Sequence, residues 1–152
     1  MIGKKITGLI LLFIGLLTTG CRQEIYETMP ELPVNYTLMW NSPKGLIIQA
    51  PGSSVEVSER TKVTDYIGFG GLIIVHTIGA TNEYAAFDLS CPLEANRQIK
   101  LQLTDNMEYK CPECGSRYSV IYGSGAPTKG PSRIPLKRYK AIKTQEGVYC
   151  IN

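Results

Sequence analysis

Histidine is almost missing from this chain: among 152 residues there is one, His76. A helix carrying two histidines, the mark of zinc-dependent proteases, is therefore excluded. No Gly-x-Ser-x-Gly elbow and no phosphate loop is present either, so a hydrolase or transferase reading has no residues to rest on. The charge excess is small, 16 Lys and Arg against 13 Asp and Glu, which leaves no electrostatic footprint for nucleic acid. Helical periodicity is missing from every window of about eleven residues or more, and there is no internal repeat and no low-complexity tract.

What is present begins at the N-terminus. Lys4 and Lys5 precede an apolar stretch of 12 residues, Ile6 to Leu17, and the small residues Thr18, Thr19 and Gly20 lead into Cys21. That is the layout of a secretory signal, too short to span a bilayer. The string LLTTGC resembles a bacterial lipoprotein box, which implies removal of residues 1–20 and a lipid on Cys21; Thr18 stands where a Leu, Val or Ile is usual, and a soluble secreted form is the alternative. The expected location is the bacterial cell envelope, with the chain lipid-anchored to a membrane and facing the periplasm or exterior. Processing leaves 132 residues, enough for one domain with a real core. Residues 21–33 are polar, carry two prolines and read as a tether. The cluster Lys137, Arg138, Lys140 and Lys143 alternates with apolar residues and reads as a solvated strand face.

From Val34 the pattern has a period of two, and the fold class it predicts is all-β over 34–152. Val34, Tyr36, Leu38 and Trp40 alternate, as do Ile99, Leu101 and Leu103. Leu46 to Ile48, Leu72 to Ile78 and Tyr84 to Phe87 read as short strands. Pro51-Gly52, Gly68 to Gly71, Gly79, Gly123 to Gly125 and Gly130-Pro131 are turn signals at spacings typical of sandwiches and small barrels.

Two Cys-Pro loops carry the chemistry: Cys91-Pro92-Leu93-Glu94 and Cys111-Pro112-Glu113-Cys114-Gly115-Ser116, with 19 residues between Cys91 and Cys111. Facing loops of this kind bring thiolates, the preferred soft ligands, to one point, as in zinc ribbons and iron–sulfur domains. The run YAAFDLSCPLE, with YKCPECGSRYSVIYGSGAPTKGPSRIPLKRYKAI after it, resembles the cluster-binding and closing segments of a Rieske-type iron–sulfur domain. Cys91 and Cys111 match that family's cysteine ligands, Gly115-Ser116 its second-loop closure, and Gly130-Pro131 with Leu136 to Tyr139 its return strand. The resemblance implies an antiparallel β-sandwich bearing a small two-knuckle cluster-binding subdomain, here at about 88–132.

The departure falls where the chemistry would be. Leu93 stands at the first histidine position and Cys114 at the second, so a centre with two imidazoles on one iron cannot be built. His76 lies in an apolar run far from both loops and reads as a satisfied or surface residue. Four readings of the knuckles are open. The first is a variant 2Fe–2S cluster, with Cys91 and Cys111 on one iron, Cys114 on the other, and Glu94 or water completing it. The second is a single zinc or iron on Cys91, Cys111 and Cys114, with Glu94 as fourth ligand through its Cys-x-x-Glu spacing. The third is metal-free, the loops stapled by a disulfide in an oxidising compartment. The fourth is a thioredoxin-like Cys-Pro-x-Cys, which needs a helix after the motif where the sequence places a strand, Tyr118, Val120, Tyr122.

Cys150 is expected in the sandwich as a small buried hydrophobe. Glu113 is expected at the surface, and Tyr118, Tyr122 and Tyr139 are expected to pack the small subdomain rather than bind a ligand. Two functions follow. One is an electron carrier meeting a redox partner at the loop tip from the membrane surface, without substrate turnover. The other is a metal-free or zinc-knuckle module that binds another envelope protein.

Overall fold

The structure, a computed structural model, describes residues 29–152; the expected signal segment 1–20, Cys21 and the tether up to residue 28 lie outside the described residues. Eleven strands and one short helix follow in order: β1 (Val34–Met39), α1 (Pro43–Ile47), β2 (Ser54–Val57), β3 (Tyr66–Ile67), β4 (Leu72–His76), β5 (Tyr84–Asp88), β6 (Gln102–Leu103), β7 (Glu108–Lys110), β8 (Arg117–Ser119), β9 (Ala126–Lys129), β10 (Arg138–Lys143) and β11 (Gly147–Ile151). A seven-stranded sheet has the order β2-β4-β5-β10-β11-β1-β3, and a four-stranded sheet has the order β6-β7-β8-β9. Every pairing is antiparallel. The fold is all-β, as the period-two pattern predicts.

The two sheets share a wall. Strands β4 and β5 are buried along their whole length, which explains why Leu72 to Val75 reads as a continuous apolar run instead of an alternation. Successive side chains point to opposite faces of a strand. Leu72, Ile74, Tyr84 and Ala86 accordingly enter one core with Val34, Tyr36, Leu38, Val148 and Cys150, around which the large sheet curls. Ile73, Val75, Ala85 and Phe87 enter a second core with Leu89, Leu101, Tyr109, Tyr118, Val120 and Leu136. Cys91 and Cys111 belong to the second core. The small sheet is thus fastened to the large one through the core that holds the knuckles, and a contact of 3.0 Å between Ser54 Oγ on β2 and Tyr109 Oη on β7 adds a polar link.

Three sequence expectations fail: Tyr122, expected to pack the small subdomain, is exposed, Tyr139 packs in the first core with the large sheet, and one expected strand is helical. Leu46 to Ile48, read as a strand, fall on and just past α1. Ser42 caps that helix, its Oγ accepting from Gly45 N at 3.0 Å, and Pro43 supplies a preset φ in the first turn. A Ser-Pro start outweighed the β-propensity of three residues. His76 is satisfied, as expected: Nδ1 lies 3.0 Å from Ile48 O and its ring packs on Tyr84 at 4.6 Å.

Cys150, on β11 between Tyr36 and Ala141, is fully buried in the first core, apart from the other three cysteines. Burial pushes its thiol up from 9.0 to about 12. The folded chain holds this proton more tightly than the unfolded one, so the group's stabilisation is complete below pH 9 and is lost as pH rises toward about 12. In native protein at pH 8, Cys150 is expected to resist alkylation until denaturant is added; mass spectrometry of labelled peptides checks this, and native-state labelling would contradict the placement.

Candidate metal centre

The two knuckles sit in the β5–β6 and β7–β8 connections and have the same backbone turn. In the first, Ala95 N donates to Cys91 O at 3.1 Å; in the second, Gly115 N donates to Cys111 O at 3.1 Å. The residue four places after each cysteine is left-handed, Ala95 at φ +45° and Gly115 at φ +72°. That conformation suits Gly and is uncommon for Ala, so the first knuckle adopts its turn against local preference. The second knuckle closes on itself, with Cys111 N donating to Ser116 O at 2.8 Å. Its return strand packs tightly: a side chain at Gly130 would come within 2.5 Å of Ser116 Cα, and Ser132 N donates to Ser116 Oγ at 3.0 Å.

These turns bring three sulfurs together. The Sγ atoms of Cys91, Cys111 and Cys114 all lie within 4.8 Å of one another, and they are the members of the only such His/Cys/Asp/Glu group of three or more among the described residues. Glu94, the expected fourth ligand, is half-buried and lies outside that group. Leu93, at the position a histidine would occupy, packs as an apolar side chain against the second core. Glu113 and Pro112 are exposed at the tip, Cys114 is half-buried, and Cys91 and Cys111 are fully buried.

The sulfurs are hydrogen-bonded. Tyr118 Oη lies 3.4 Å from Cys91 Sγ, and Ser116 Oγ lies 3.1 Å from Cys114 Sγ. Burial pushes the Cys111 thiol up to about 12, against the backbone N–H groups of Cys114 and Glu113, which favour its thiolate. Burial also pushes Tyr118 up, so it stays a protonated donor. The sequence reading assigned Tyr118 to packing alone, and its contact with sulfur is the addition. No helix follows Cys114; the chain runs into β8, which removes the thiolate-stabilising helix end that dithiol redox catalysis requires.

The donor set can be tested against a metal. Cys91 Sγ and Cys114 Sγ stand 3.7 Å apart, beyond the roughly 2.05 Å of a disulfide. Thiolates about 2.3 Å from one tetrahedral ion stand about 3.8 Å from each other. Cys91 and Cys114 therefore fit two corners of one metal's coordination shell, with Cys111 Sγ within 4.8 Å of both. Ligands on the two irons of a 2Fe–2S cluster have a second iron and bridging sulfides between them, which demands a wider separation for Cys114. The same donors take zinc or iron with equal geometric ease.

Asp88 supports the first knuckle and was not legible as functional in the sequence. Its buried carboxylate accepts from Phe69 N at 2.9 Å, Gly70 N at 3.0 Å, Ser90 N at 2.8 Å and Tyr139 Oη at 2.8 Å. Ser90 immediately precedes Cys91, so this carboxylate fixes the backbone that delivers the first ligand. The available signal was a lone acid closing the apolar run Tyr84 to Phe87, with a glycine-rich turn at Gly68 to Gly71.

No protein-family model matches the chain, and no curated protein matches it. Among solved structures the chain is similar to one from "Complex of reduced oxygenase and oxidized ferredoxin in carbazole 1,9a-dioxygenase", at 15% identity over 76% of this chain and 99% of that one, TM-score 0.46. It is also similar to Sphingomonas yanoikuyae B1 ferredoxin, at 19% identity over 78% and 97%, TM-score 0.45. A third is the ferredoxin of carbazole 1,9a-dioxygenase from Nocardioides aromaticivorans IC177, at 18% over 78% and 95%, TM-score 0.43.

Proposed function

We propose that this chain is a Rieske-like, iron-binding lipoprotein of the bacterial cell envelope that carries electrons, with Cys91, Cys111 and Cys114 as the metal ligands and Cys21 as the lipidated residue. The observation that carries the reading is the convergence of three sulfurs within 4.8 Å at the tip of two matched knuckles. Structural zinc sites are closed by four protein ligands, whereas this set supplies three, with its outer thiol half-exposed. A docked redox protein would reach such a site through Pro112 and Glu113.

Iron on thiolates supplies one-electron chemistry, and the potential follows cluster type, net charge and hydrogen bonds to sulfur. The sulfur spacing favours a single iron whose fourth position is taken by water or a small ligand. A variant 2Fe–2S cluster is the second reading, favoured by the Ser116 and Gly130 packing that closes the second loop as the family resemblance implies. Both centres move one electron.

The test is anaerobic reconstitution with iron followed by reductive titration. Reversible one-electron bleaching is expected, and it should vanish in Cys91→Ala; protein that retains zinc in preference to iron and stays redox-silent would leave a structural knuckle and end the electron-carrier reading. Within the same experiment, Tyr118→Phe should keep its iron but lower the midpoint potential. A donor to sulfur stabilises the more negative, reduced state, and a net hydrogen bond of about 1 kcal/mol corresponds to roughly 40 mV for one electron. An unchanged potential would mean that the Tyr118 hydroxyl plays no part in tuning the metal.

A further inference from the structure

Away from the knuckles, a pocket of about 390 Å³ is lined by Arg60, Arg97 and Lys100 around the bare backbone of Gly68 to Gly71. Among the described residues no carboxylate lines it. Asp88 lies behind the glycine wall with its oxygens taken by Phe69, Gly70, Ser90 and Tyr139, and Glu59, next to Arg60 in the chain, is exposed. Among the described residues none of the three cations forms a salt bridge. Arg60 lies over the ring of Tyr66, 5.6 Å from its centroid, which holds the guanidinium at the rim without neutralising it. Lys100 Nζ donates to Gly70 O, so the ammonium is drawn against the floor.

The glycine wall is packed tightly from behind. A side chain at Gly70 would meet Ser90 Oγ at 1.7 Å and Asp88 Oδ1 at 2.8 Å. Burial pulls the Lys100 ammonium down, Asp88 offsets part of the effect and Arg97 adds to it. Three cations gathered round one cavity, one of them partly desolvated, repel one another until an anion enters. Two guanidinium forks and an ammonium match the several oxygens of a phosphate group, which accepts bidentate bonds from Arg.

We infer that the pocket of Arg60, Arg97, Lys100 and the Gly68 to Gly71 backbone is a phosphate-binding site, taking either the headgroup phosphate of a membrane lipid or free phosphate. Pro33 also lines the pocket, so the site lies where the segment leading back to Cys21 enters the domain. A lipid anchored through that segment would hold the pocket near a headgroup layer. The lipid source rests on the anchor proposed above; phosphate recognition itself does not.

The test is calorimetric titration of the full chain, in uncharged detergent at low and constant chloride, with inorganic phosphate and with dihexanoyl-phosphatidylglycerol. Saturable one-to-one binding is expected. It should weaken by about tenfold or more in Arg60→Gln with Arg97→Gln, both exposed residues whose loss leaves the core intact, and stay unchanged in Lys140→Gln on β10. Equal binding of both probes identifies the phosphate group alone as the ligand, and binding of the lipid only identifies a headgroup. Absence of saturation with either probe, or equal weakening in Lys140→Gln, would overturn the assignment.

Discussion

Cys91→Ala is expected to empty the metal centre. Cys91 alone comes from the first knuckle, so its loss leaves two thiolates on a single loop and nothing to join the loops. Structural zinc in small cysteine-rich domains contributes about 10–16 kcal/mol over four ligands, which is roughly 2.5–4 kcal/mol each, or about two to three orders of magnitude in affinity. Iron should follow the same ordering because the donor set is the same. Metal content after dialysis against a weak chelator reads the effect. Cys150→Ala is the control: it removes a thiol from the other core, should keep the full metal load, and should cost about 1–2 kcal/mol as a small void. Equal metal retention in Cys91→Ala and the unaltered protein would mean that the knuckles do not hold the metal.

The second large effect is on stability. Asp88→Ala removes an acceptor from three backbone N–H groups and one phenol; Asp88 itself is fully buried, and only the bond from Phe69 N is part-buried. Breaking a buried network by deleting its charged member costs about 3–5 kcal/mol, because the donors left behind have neither partner nor water. Tyr139 is pushed up chiefly by burial and then by Asp88, so it remains the donor of its pair. Urea unfolding should show a midpoint lowered by that free energy divided by the slope, with the slope itself unchanged. Asp88→Asn, which keeps one carbonyl acceptor, should recover part of the loss. The damage should also reach the metal site through Ser90 and Cys91, as weaker metal retention in the variant that still folds. A cost under about 1 kcal/mol would show that the carboxylate is not the organiser described here.

Much of this was legible in the sequence because it depends on local pattern. Alternating residues such as Val34, Tyr36 and Leu38 carry the β period, and the Cys-Pro loops announce themselves by composition. Convergence of Cys91, Cys111 and Cys114 could be stated as a condition, since facing loops have one way to share a ligand. Other features depend on partners distant in the chain. Asp88 gains its meaning from Gly70 and Tyr139, and neither contact leaves a mark in the string. The equivalence of Ala95 and Gly115 is a backbone property that an alanine conceals. Glu94 had the right spacing for a ligand, but its carboxylate lies outside the group the sulfurs form. Leu46 to Ile48 show propensity yielding to a cap, with Ser42 and Pro43 fixing the helix start before the branched side chains have influence.

The most direct measurement is the content of iron, zinc and acid-labile sulfide, with a visible spectrum, in the Cys21→Ser protein purified without oxygen. The account predicts stoichiometric iron with thiolate-to-iron absorption that is lost in Cys91→Ala. Iron without sulfide identifies the single-ion centre, and iron with equal sulfide identifies the two-iron cluster. Protein that holds no metal after anaerobic purification and iron reconstitution, or that binds iron equally well without Cys91, would contradict it.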